Sequence, residues 1–196
     1  MTENAETAVH HPGTAAAWRR MVRVRWAWLA GELLVWAGTV GFGAVTGRRS
    51  VIPFAVMFTV AALIVVPVTV TLIVSARRAG RVLRAYPWQE QPCVFRRQGR
   101  DVLVVLMPER GYEVPLRPSP LRVDPSGGHG DALESMWFAG DLRFGGVVSP
   151  PGGHRVVRVT RPNAAKAARA RRGASPTADA LAERVGLISG GKPRSL

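Results

Sequence analysis

TVAALIVVPVTVTLIV, the stretch from residue 59 to residue 74, carries no charge and has no polar face. A helix that is apolar all round is at home in a hydrophobic surrounding, which argues against an amphipathic helix lying on a surface. Extended outward, the uncharged segment runs from about Val51 to Ser75. At 1.5 Å per residue it is long enough to cross a hydrocarbon core of about 30 Å. Pro53 falls in the first turn, where its missing N–H costs little, whereas Pro67 is interior and predicts a kink or a re-satisfied carbonyl. A second such stretch lies just upstream, from about Trp26 to Thr46, with one charge, Glu32. Its apolar run is longer than the roughly 7–15 residues of a signal peptide, and the next span follows at once. Residues 19–84 therefore read as a transmembrane helical hairpin.

Arginine sets the expected orientation. Arg19, Arg20, Arg23 and Arg25 precede the first span, Arg77, Arg78, Arg81 and Arg84 follow the second, and only Arg48 and Arg49 lie between them. Positive charge is retained on the cytoplasmic side, so the count of eight against two places both termini in the cytoplasm and the protein in the inner (plasma) membrane. The 27 Lys and Arg against 13 Asp and Glu, a net charge of +14 over 196 residues, need discounting as a nucleic-acid signal. All but Lys166 and Lys192 are arginine, in a composition rich in Ala, Gly, Pro and Val that has the stamp of a high-GC genome.

Within the first span, Glu32 lies about ten ångströms in from the cytoplasmic edge, at 1.5 Å per residue from Trp26. An ionised carboxylate there costs on the order of 2.5–3.5 kcal/mol, so it is a candidate intramembrane polar site. The structural alternative is an ion pair with Arg77 or Arg78. Small residues recur at four-residue steps on one face: Ala27 and Gly31, then Val35 and Thr39, then Gly43 and Gly47. Such spacing lets helix backbones approach in lipid, either within the hairpin or between two copies of the chain. Trp36 is too deep for an interfacial anchor and is expected to pack against the other helix.

From Tyr86 to about Pro162 the pattern changes to short alternating runs broken by Gly and Pro, the mark of an all-β domain. Candidate strands are residues 93–97, 101–107, 112–116, 121–123, 135–139, 142–149 and 155–160. They predict a small barrel or sandwich over residues 85–162. Seven acidic and seven basic residues between Asp101 and Arg161 cancel, which excludes an electrostatic nucleic-acid reader. In Trp137-Phe138 one ring should enter the core and the other face outward. Asp141, after Gly140, reads as a turn cap, and Cys93 as a buried thiol.

The blocks Tyr86-Pro87-Trp88-Gln89, Trp137-Phe138-Ala139-Gly140-Asp141, Arg143-Phe144-Gly145-Gly146-Val147-Val148 and Pro151-Gly152-Gly153 follow the hairpin. Together they resemble a group of uncharacterised two-span integral membrane proteins of high-GC Gram-positive (actinobacterial) bacteria, over residues 20–162. The resemblance implies lineage and topology. In layout alone, a more distant likeness is to bacterial pleckstrin-homology-like membrane proteins, which also place a β domain beside a helical hairpin.

No P-loop, Gly-x-Ser-x-Gly, His-Glu-x-x-His or dinucleotide fingerprint occurs, and no catalytic residue, metal or cofactor is expected. His129 and Asp131 lack a third ligand. Residues 1–18 read as disordered. So does most of the basic tail, residues 163–196, apart from a short helix over 178–187 with Thr177 as its N-cap. Lys166, Arg169, Arg171 and Arg172, beside a cytoplasmic membrane face, are candidate contacts for anionic lipid headgroups. The functional expectation is a membrane-anchored binding or scaffold module, alone, as a homodimer or with another membrane protein. The alternative is an accessory subunit of a transporter or membrane enzyme that uses Glu32.

Overall fold

The computed structural model describes residues 6–46, 52–98, 101–109, 112–120, 134–162 and 175–188. Two long apolar helices, α1 (Pro12–Thr46) and α2 (Ile52–Ala85), precede six strands: β1 (Gln89–Gln98), β2 (Asp101–Glu109), β3 (Tyr112–Pro118), β4 (Glu134–Asp141), β5 (Gly145–Ser149) and β6 (Val157–Thr160). A short helix, α3 (Pro176–Arg184), follows. By contact the chain divides into two units, residues 19–76 and residues 1–18 with 77–196, so that both long helices pass from one unit into the other.

The first unit is the helical hairpin. Its side chains are apolar and unburied: Trp28 is 67%, Leu34 73%, Val45 87% and Leu63 72% exposed. Helices of 35 and 34 residues are each about 50 Å long at 1.5 Å per residue. Both are long and apolar enough to cross a membrane. α2 runs on through Pro67, and the Thr71 hydroxyl donates to the Pro67 carbonyl at 2.8 Å.

The second unit is built on a closed antiparallel barrel with the strand order β1-β2-β3-β6-β5-β4, which settles the choice between barrel and sandwich. Alternate residues fill it: Cys93 and Phe95, Val104 and Leu106, Val114 and Leu116, Met136 and Phe138, Val148 and Val159 form one buried core. Side chains of the opposite parity on β4 and β5, Ala139 and Val147, join a second core outside the barrel. That core holds Ala79, Val82 and Leu83 from the last turns of α2, Val185 just after α3, and Ala8 from the N-terminal segment. Burying both parities of one hairpin explains why β5 is inaccessible along its whole length.

β4 and β5 meet where no side chain fits. A Cβ added to Gly146 would lie 2.3 Å from the Ala139 carbonyl oxygen, and Gly145, at φ +123°, would place one 2.4 Å from the Val159 carbonyl oxygen. Those glycines let β4, β5 and β6 approach closely. The strand candidate 121–123 lies outside the described residues.

Two expectations are corrected. The N-terminal segment is ordered from residue 6: Ala8–His10 forms a 3-10 turn, Thr7 bridges Pro87, and the Ala8 amide donates to the Tyr86 carbonyl at 3.0 Å. Thr14 is fully buried against the Pro150–Gly153 turn, where a Cβ on Gly153 would fall 2.1 Å from its hydroxyl oxygen. Residues 6–18 looked disordered because their contacts are made with segments some seventy to a hundred and forty residues away, which local pattern cannot show. The N-cap of α3 is Ser175 instead of Thr177, since Pro176 takes the first helical position, for which its fixed φ is suited.

Candidate functional site

Sequence singles out Glu32 and the small-residue face, and both lie in the hairpin unit. The Glu32 carboxylate accepts the Thr69 hydroxyl, 3.2 Å to one oxygen and 3.4 Å to the other. Thr69 is buried at 6% exposure. A threonine can meet a carboxylate across the hairpin because its hydroxyl is short and branched at Cβ, close to its own helix. Arg77 and Arg78, the partners expected from sequence, belong to the other unit. The missed partner, Thr69, is one of three threonines inside the stretch whose apolar character defined the span, and nothing in the sequence marks it out from Thr59 and Thr71.

A groove of about 600 Å³ opens between the helices beside this pair. Ala27, Gly31, Glu32 and Val35 of α1 line it, opposite Phe58, Ala61, Ala62 and Val65 of α2, with Trp28 and Trp36 also at its walls. A second groove of about 420 Å³ is lined by Gly43 and Ala44 of α1 and by Ala55 and Thr59 of α2. The predicted face is thus turned toward the second helix but not closed upon it, since a Cβ on Gly31 would meet nothing within 4 Å. Gly47 lies outside the described residues. Two polar bonds tie the helices together around the grooves: the Trp36 indole N–H donates to the Thr59 hydroxyl at 3.1 Å, as its depth predicted, and the Arg25 guanidinium donates to the Leu72 carbonyl.

In the barrel unit an ion-pair network sits at the β4–β5 turn. Asp141 caps it as expected, accepting the Arg143 amide at 2.9 Å. The same carboxylate takes the Arg143 guanidinium through Nε and Nη2, and Nη1 reaches Asp179 of α3 at 2.9 Å. The bond to Asp141 raises the Arg143 pKa further above its already high ordinary value, against the opposing effect of burial. Burial, together with the nearby Asp141 charge, also pushes the Tyr86 phenol up, with Arg143 acting in the opposite direction.

The aromatic motif divides as its alternation predicts. Phe138 is wholly buried inside the barrel. Trp137 faces out, packed edge-on against His11 at 4.9 Å and tilted against Trp88 at 6.0 Å. Trp88 belongs to the outer core and donates its indole N–H to Thr14 at 3.0 Å. Cys93 is buried in the barrel. Among the described residues no group of three or more His, Cys, Asp or Glu is placed to hold a metal ion. His129, Asp131 and the four candidate lipid-contacting residues Lys166, Arg169, Arg171 and Arg172 lie outside the described residues. No protein-family model, curated protein or solved structure matches this chain.

Proposed function

We propose that this chain is an integral protein of the plasma membrane, in which the α1–α2 hairpin spans the bilayer twice and the barrel serves in the cytoplasm as a binding or scaffold module. The observation that carries the reading is the exposure of large apolar side chains on every side of two helices each long enough to cross a membrane. In water this surface far exceeds the few hundred Å² of apolar patch that monomers tolerate. In lipid it needs no partner. The eight-to-two arginine asymmetry supports cytoplasmic termini. The barrel interior is packed with side chains, so binding falls to its outer surface and loops. The motif blocks support kinship with the two-span actinobacterial membrane proteins, and basic residues of the tail support contact with anionic lipid.

A second reading has its own observation. The Glu32 carboxylate borders an open groove at a glycine with empty space above it, the arrangement expected if a helix from another copy or another membrane protein completes an intramembrane polar site. Trypsin protection tests the main proposal. In inside-out vesicles the arginines of the tail should be cleaved while the hairpin stays with the membrane after alkaline extraction. Release by alkaline carbonate, or cleavage of the tail only in intact spheroplasts, would refute it. Capture of crosslinked partners then separates the readings. Loss on truncation after Arg84 places function in the barrel, and loss on Glu32→Gln places it in the bilayer.

A further inference from the structure

Three arginines of the barrel unit come together with no counter-charge among the described residues. The register pairs Arg158 of β6 with Val147 of β5, so the two share the outer face of the sheet. Val147 packs in the outer core with Ala79 and Val82 of α2. Arg78 and Arg81 immediately precede those two residues, and three positions apart on a helix they are surface neighbours. Arg158 is half-buried, and its Nε is inaccessible to solvent and makes no hydrogen bond. Burial, with Arg78 and Arg81 close by, pulls the Arg158 guanidinium below its ordinary range. On the other side of the cluster, bare backbone approaches Arg81 at Gly186, where an added Cβ would lie 3.7 Å from Nη2.

Arg161 Nη1 is also buried without a hydrogen bond, but other guanidinium groups of the fold are satisfied by carboxylates. Arg143 has two carboxylates, and Arg96 grips Glu113 with two bonds of 2.9 and 2.7 Å. Among the described residues no carboxylate pairs with Arg78, Arg81 or Arg158. Three like charges gathered on a partly buried face repel one another and leave a costly unsatisfied donor. An anion with several acceptor oxygens removes both penalties, and a phosphate group matches arginine's forked donors.

We propose that Arg78, Arg81 and Arg158 form a binding site for a phosphate group. Two sources share that chemistry, the headgroup of an anionic phospholipid and a soluble phosphate. The lipid source rests on the reading of α2 as a span. On that reading Arg78 and Arg81 lie about 4.5 and 9 Å along the helix beyond Ser75, within and at the edge of a headgroup layer of about 5–8 Å.

The test is thermal unfolding of the full chain, followed by tryptophan fluorescence, in two arms. In detergent, inorganic phosphate is titrated against chloride at matched ionic strength. In nanodiscs, phosphatidylglycerol is compared with phosphatidylcholine. The expected result is a saturable rise in Tm with phosphate, with phosphatidylglycerol, or with both, the responding arm naming the source. Arg158→Gln should weaken the apparent affinity about tenfold or more, the equivalent of one charge-assisted hydrogen bond. It should also raise the Tm of the unliganded protein by relieving repulsion. The pair Arg78→Gln and Arg81→Gln, exposed on α2, should weaken affinity likewise and, by relieving the same repulsion, should not lower the Tm of the unliganded protein. Replacing Lys166, Arg169, Arg171 and Arg172 by Gln should leave the effect in place. No stabilisation in either arm, or equal stabilisation of wild type and the Arg78/Arg81 variant, overturns the proposal. If the chain fails to enter nanodiscs, the membrane reading falls while the detergent arm still decides whether the phosphate site exists.

Discussion

Cutting the bonds of Arg143 one at a time should show that its two carboxylates are not equivalent. Asp141 and Arg143 are 12% and 20% exposed and share three side-chain contacts, the shortest 2.6 Å, whereas Asp179 is 35% exposed and receives one bond of 2.9 Å. A pair this shielded, with forked geometry, stands between the surface range of about 0.2–1 kcal/mol and the 3–5 kcal/mol lost when one member of a fully buried pair is removed. About 2 kcal/mol of coupling is expected for Arg143 with Asp141. For Arg143 with Asp179, partial exposure and a single bond reduce the expectation to about 0.5 kcal/mol. Two double-mutant cycles, built from Arg143→Met with Asp141→Asn and with Asp179→Asn and read by thermal unfolding in detergent, measure both terms. The Asp179 cycle carries a second readout, since that bond ties α3 to the barrel: Asp179→Asn should speed proteolysis after Arg184 while hardly shifting Tm. Equal couplings, or a larger one to Asp179, would refute the argument that burial and bond number set the order.

The two glycine environments should respond oppositely to one added methyl group. Gly146→Ala places a Cβ 2.3 Å from backbone that cannot yield and should abolish the folded barrel by circular dichroism. Gly31→Ala meets nothing and should leave the monomer's stability within about 0.5 kcal/mol of wild type, as for changes in open positions. A drop in crosslinked dimers in that variant would assign the groove to a second copy. Because Glu32 accepts from a neutral hydroxyl, Glu32→Gln can keep the Thr69 bond, so it should cost less than Thr69→Val, which removes the donor, in detergent unfolding. In a Tyr112→Phe background, absorbance at 295 nm should show Tyr86 ionising above the ordinary tyrosine range of about 10. The neutral phenol is the form favoured by the fold. Its contribution to stability is therefore complete below about pH 10 and is lost as pH rises through the higher folded value, and Tyr86→Phe should remove that part of the alkaline destabilisation.

What the sequence made legible follows from how far each signal reaches along the chain. The apolar run 59–74 announces α2 because hydrophobicity is carried by every residue in it, and Trp137-Phe138 divides between two faces because strand alternation is local. Glycine turns marked the β4–β5 hairpin and Asp141 as its cap. The hidden features are all long-range. Residues 6–18 offer no amphipathic pattern to distinguish them from a loose terminus, and distant partners, among them Tyr86, Pro87, Trp88, Trp137 and the Pro150–Gly153 turn, give them a place. Thr69 is one of three threonines in an apolar run, and only the hairpin register turns it into the partner of Glu32. Arg158 looks like any strand arginine until its pairing with Val147 sets it beside α2.

The same distinction bears on where selection can act on function. Apolar character, turn glycines and strand alternation can be met by many sequences and secure only the fold. Arg78, Arg81 and Arg158 do the reverse: the fold assembles three like charges beside the outer core, where Arg158 Nε is buried without a hydrogen bond. A stability-driven sequence would replace Arg158 with an apolar residue, since Val147 beside it is wholly buried and the surrounding side chains are mostly aliphatic. Retaining three guanidinium groups at a place where they weaken the free protein makes sense if an anion occupies the place in the working one. That is why the phosphate titration of Arg158→Gln, which should gain stability and lose its ligand response together, discriminates more sharply than a binding assay alone.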